Sequence, residues 1–98
     1  MKEDKEWKFD DGENTAVFTT RQVINENMPI LFVFHDEDDG AWQFHHDNTP
    51  NIEDAVIVSL YKMISIDNTL NQLFDLPIGW YASRKDRYDA WQRRKIEI

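Results

Sequence analysis

The run Ile30-Leu31-Phe32-Val33-Phe34-His35 is β-branched and aromatic without interruption. Such continuous apolarity predicts a strand buried on both faces, and it is the best core candidate in the chain. Asp36-Glu37-Asp38-Asp39-Gly40 follows, and then Ala41 to His46, where Trp42 and Phe44 alternate with Gln43 and His45. Asp and Gly supply the positive φ angles that tight turns need. Together the three pieces predict a β-hairpin with an acidic tip.

The remaining segments are read around that hairpin. Residues 1–13 form a charged leader in which Trp7 and Phe9 are the only large apolar groups, two rings able to dock on the domain formed by 14–98. Ala16 to Thr19 is β-prone, and Thr19 or Thr20 can cap a helix that turns Val23 and Ile24 inward. Asn25, Asn27 and Pro29 end it, because the residue before proline is pushed out of the helical region. Residues 55–66 fit either a strand or one helical face; we read a strand to about Ser59 and then a helical turn. Asp67 or Asn68 caps a short helix carrying Leu70, Leu73 and Phe74, which Pro77 stops. Trp80 to Arg84 reads as a strand and Trp91 to Ile96 as an edge strand whose Arg93, Arg94 and Lys95 discourage edge-to-edge association. The predicted class is α+β, a mostly antiparallel sheet with a central β-hairpin and two short helices packed on one face.

Length and charge then exclude whole classes of function. With 98 residues the chain can hold one modest core, so a two-domain enzyme is ruled out. No cysteine is present, hence no disulfide, thiolate metal site or cysteine nucleophile, which fits a reducing compartment such as the cytoplasm. The first residues lack the apolar stretch of a signal peptide, and Met28 to Phe34 is far shorter than a membrane span. The formal charge is −8, unevenly divided: residues 1–54 hold four basic and fourteen acidic groups, residues 55–98 seven basic and five acidic. Such a balance repels phosphate backbones and favours a basic partner by steering.

Four features of the sequence bear on chemistry. His35, His45 and His46 flank the hairpin among carboxylates, and if His35 and His45 meet across it they offer a metal site, the alternative functional reading. The acidic loop fails the calcium-loop pattern, since Gly40 at its sixth position puts His35 first and His46 twelfth. G-x-S-x-G, H-E-x-x-H and a phosphate-cradling glycine loop are all missing, so no catalytic residue is assigned and no cofactor is expected. Trp80, Tyr81, Tyr88 and Trp91 interleave with Arg84, Arg87 and Arg93–Lys95 as in single-strand binders, but the whole-molecule charge argues against nucleic acid.

Several local motifs are shared with one family. These are the strand ending in His35-Asp36, the run Asp39-Gly40-Ala41-Trp42-Gln43-Phe44, the helix start Asp67-Asn68-Thr69-Leu70, and Asp75-Leu76-Pro77-Ile78-Gly79-Trp80 followed by Ala82 and Arg84. From Ala16 to Arg94 the chain resembles a family of small bacterial domains of unknown function grouped with the immunity proteins of polymorphic toxin systems. Where related families have proline after the aspartate of the second helix start, Asn68 stands here. The resemblance implies a non-catalytic acidic inhibitor that docks on a basic toxin or other basic protein. The expected contact is the hairpin tip, Asp36, Glu37, Asp38 and Asp39, with Trp42 or Trp7 as anchor, the alternative for Trp42 being a place in the core. A third reading is an accessory domain acting by self-association, as a homodimer.

Overall fold

A computed structural model describes residues 7–48 and 51–97. Its six strands are β1 (Ala16–Thr20), β2 (Phe32–His35), β3 (Trp42–His45), β4 (Ala55–Ser59), β5 (Trp80–Ser83) and β6 (Gln92–Lys95). They form a single sheet in the order β4-β1-β3-β2-β5-β6. Every neighbouring pair is antiparallel except β1 and β3, which run parallel. The fold is therefore α+β with a mixed sheet. Pro50, in the polar loop expected after His46, lies outside the described residues, as does the start of the leader.

Two α-helices, α1 (Arg21–Asn25) and α2 (Leu60–Ile66), are joined by 3-10 helices at Ile52–Asp54 and Asn68–Leu73. Of the two short helices expected, the one that starts after Thr20 is α1. The segment 55–66 takes both of its alternatives in turn, β4 and then α2, with the Ser59 hydroxyl accepting the Lys62 N–H at the changeover. The helix expected after Asp67 is instead a 3-10 helix, capped by the Asp67 side chain on the Thr69 N–H. Asn27 ends the α1 region in the left-handed conformation, at φ 58°, which asparagine tolerates better than most side chains.

Cross-strand register sorts the side chains into two faces. Val17, Val33, Trp42, Phe44 and Ala82 point to one side and are buried against Leu60, Met63, Leu70, Leu73 and Leu76. Phe9 joins that core, edge-on to Trp42 at 5.3 Å, so the packed unit begins before residue 14. On the other face the pairings Ile57–Phe18, Phe18–Gln43, Gln43–Phe34, Phe34–Tyr81 and Tyr81–Arg94 trace one row across all six strands. Neither α1 nor α2 lines the grooves along that row, and Ile52 of the first 3-10 helix borders it beside Phe18 and Gln43. β2 is accordingly buried on one face and only half-buried on the other, at Phe32 and Phe34, which corrects the two-sided burial expected of it.

Candidate functional site on the uncovered sheet face

At the centre of the row the Phe34 and Tyr81 rings stack 5.4 Å apart, 18° from parallel. Tyr81 is followed outward by Arg94, and Phe34 inward by Gln43. Gln43 is the polar hinge of the face. Its Nε2–H donates to Asp36 Oδ2 at 2.6 Å, which turns Oε1 toward His45 at 2.9 Å. His45 must then donate from Nε2, leaving Nδ1 as a bare acceptor with no partner among the described residues. Burial holds the His45 imidazole below its ordinary pKa, and the neighbouring His46 lowers it further against the pull of Asp36.

The acidic turn abuts this face. Asp36 is held by Gln43, and Asp39 Oδ1 caps the Ala41 N–H at 3.0 Å. Glu37 and Asp38 are exposed. A shallow groove of about 230 Å³ runs between residues 36–39 and Ile96. A second, of about 460 Å³, is lined by Phe34, Tyr81, Arg94, Lys95, Glu97 and the same Ile96. The two grooves meet at Ile96, with the acidic turn on one side of it and the stacked rings, Arg94 and Lys95 on the other, so the surface offers apolar area beside charges of both signs.

The expected residues separate in space. Trp42 is 2% exposed and buried in the core. Its ring lies on that of His35 at 3.8 Å and its Nε1–H donates to Asp11 Oδ2 at 2.8 Å, so it is a core residue and not an accessible anchor. Trp7 packs half-buried against the same core. The expectation that His35 and His45 meet across the hairpin is also corrected. His35 pairs with Trp42 and His45 with Phe32, which places the two imidazoles on opposite faces of the sheet. His35 donates Nδ1–H to the Leu76 carbonyl at 2.8 Å, while His46 lies 3.4 Å from the Thr20 hydroxyl. Among the described residues no group of three His, Cys, Asp or Glu side chains is placed to hold a metal.

Phe18, Phe34 and Ile57 are not singled out as site residues by the sequence, and Tyr81 enters there only among the rings of the single-strand-binding pattern. Their signal in the sequence is the parity of each strand, since each alternates with a core residue, but parity alone does not say which face a helix will cover. Among the described residues no helix is long and apolar enough to cross a membrane. No family model matches this chain, and no match was found among curated proteins or solved structures.

Proposed function

We propose that this is a non-catalytic protein-binding domain that docks a basic protein on its uncovered sheet face, in the manner of the immunity-type inhibitors its motifs resemble. The observation that carries this reading is that Ile96 borders both grooves, and so joins the acidic turn to the Phe34–Tyr81 stack. The rings supply apolar area that costs little to order, and Glu37 and Asp38 supply the opposite charge for Lys and Arg side chains at the rim. A chain charge of −8 draws such a partner in before contact. Trp42 has no part in this contact; its place as anchor passes to Phe34 and Tyr81.

The test is to capture the partner with the tagged full chain from its native host, identify it, and repeat the binding with both proteins pure. Calorimetry should return a basic partner whose affinity falls about 30-fold for Tyr81→Ala, the size of one hot-spot aromatic. A milder loss is expected for the Glu37→Gln, Asp38→Asn double variant, together with weakening as salt is raised. Affinity indifferent to salt and to both variants would refute this reading.

A further inference from the structure

The two margins of the sheet are built differently. β6 closes one side with Gln92-Arg93-Arg94-Lys95, charges of the kind that keep an edge from pairing. β4 closes the other with Ala55-Val56-Ile57-Val58-Ser59, which has no charge and no proline. Its backbone groups can be assigned. Hydrogen-bonded and open positions alternate along the β1–β4 pair, and Val17 and Thr19 turn their N–H and C=O groups toward β4, at Val58 and Val56. The Leu60 N–H on the Thr15 carbonyl, at 2.8 Å, continues the same alternation. Ile57 therefore directs both its N–H and its C=O away from the sheet, flanked by the Ala55 carbonyl and the Ser59 N–H. No strand among the described residues lies beyond them. Exposed apolar side chains gather at this margin too: Ile57 is 63% exposed, Ile52 88% and the adjoining Phe18 38%.

We infer that β4 is a dimerisation edge, on which the β4 strand of a second copy pairs antiparallel about Ile57. The occupant follows from the strand's own symmetry. Centred on Ile57, that register sets Val56 against Val58 of the second copy, Ala55 against Ser59, and Ile57 against itself, so each face gains an apolar pair, Val56–Val58 on one and Ile57–Ile57 on the other, and the contact is isologous. Beyond the strand the same register runs Glu53 and Asp54 of one copy toward the start of α2 in the other, which carries Lys62. The product is a continuous twelve-stranded sheet with both uncovered faces on one side. Each copy carries −8, and salt screens their mutual repulsion. Self-association should therefore strengthen as salt rises, opposite to the trend expected for the basic partner, so either reading can fail without the other.

Sedimentation of the full chain at increasing concentration is the experiment. The mass should rise from 11.8 kDa toward twice that value, and more readily in high salt. Ile57→Lys, at an exposed side chain, should raise the dimer dissociation constant at least about tenfold, whereas Tyr88→Lys, which brings the same charge to a side chain 92% exposed in the loop before β6, should leave it unchanged. Hydrogen exchange on the unaltered chain provides a readout that needs no variant: the Ile57 amide should gain protection as concentration rises. A monomer at every concentration, a dimer indifferent to Ile57→Lys, or Ile57 protection that does not vary with concentration would each overturn the proposal.

Discussion

Arg84 and Asp67 form a buried ion pair, Nη2 to Oδ2 at 2.6 Å, in which the arginine side chain is 1% exposed and the aspartate side chain 15%. The same guanidinium donates to the Ile30 carbonyl, the Thr69 hydroxyl and the Arg87 carbonyl, and lies 4.0 Å over the Trp91 ring. One side chain thus ties the end of β5 to the lead-in of β2, to the 3-10 helix and to the approach to β6. Arg84→Ala should cost about 3–5 kcal/mol, since it leaves a partly buried carboxylate and a carbonyl without their donor. Lysine should recover little of it, because an ammonium cannot reproduce the planar fork. Urea unfolding reads both. The pH dependence follows from Asp67: burial pushes its carboxyl up, but Thr69 and Arg84 together hold it below 3.8. That stabilisation is present above 3.8 and is lost as pH falls through the lower folded-state value, and Asp67→Asn should flatten this acid limb.

A second acid limb begins at higher pH. Burial, aided by His46, keeps His45 below its ordinary 6.5 in the folded chain, so between those two values the unfolded chain holds the extra proton. Stability should begin to fall as pH drops below 6.5 and should level off below the folded-state value. His45→Leu removes the titrating group. Unfolding free energies at pH 7.5 and pH 5.5 should then agree in the variant and differ in the parent; equal values in the parent would show that His45 is not held neutral.

Which parts of this were legible beforehand follows from where each signal resides. Trp42 and Phe44 alternate with Gln43 and His45, and the acidic stretch marks the turn, so the pairing of β2 with β3 depends on local information alone. The face that β2 buries does not. Phe32, Val33 and Phe34 look alike in a one-dimensional reading, and only the packing of α2 and the following 3-10 helix on Val33 distinguishes the core side from the open one. Residues 55–66 were ambiguous for a similar reason: Val56, Ile57, Leu60, Tyr61 and Ile64 satisfy a helical period, yet β1 pairs with the first of them and the Ser59 cap releases the rest into α2. His35 and His45 looked like neighbours because their faces depend on register. The turn pairs Asp36 with Ala41, which fixes His35 opposite Trp42.

The two aromatic sets should separate in experiment. Trp42 fills the core between His35, Phe9 and Phe44, so Trp42→Ala should cost about 3–5 kcal/mol of stability. Tyr81 is half-buried on the open face, and Tyr81→Ala should cost about 1 kcal/mol, chiefly its stack on Phe34. Thermal unfolding of both variants beside partner affinity makes the comparison. A Trp42 variant as stable as the parent would contradict its place in the core.

Two glycines should respond to alanine in opposite directions. Gly79 has φ +88°, and a Cβ there would sit 3.7 Å from a Glu37 carboxylate oxygen, ordinary contact, so the penalty is backbone strain. Gly79 also joins three strands' ends, donating its N–H to the His35 carbonyl at 2.7 Å and accepting the Ile96 N–H at 2.8 Å. Relaxing the strain would therefore pull on β2 and on the segment after β6, and Gly79→Ala should destabilise by about 1–2 kcal/mol. Around Gly12 nothing lies within 4 Å of an added Cβ. Gly12→Ala restricts mainly the unfolded chain there and should be neutral or stabilising by up to about 1 kcal/mol. Because Glu37 packs beside Gly79, Gly79→Ala should also shift the amide resonances of the acidic turn, while Gly12→Ala leaves them in place. Equal stabilities for the two variants would mean that the left-handed conformation at Gly79 carries no cost for a side chain.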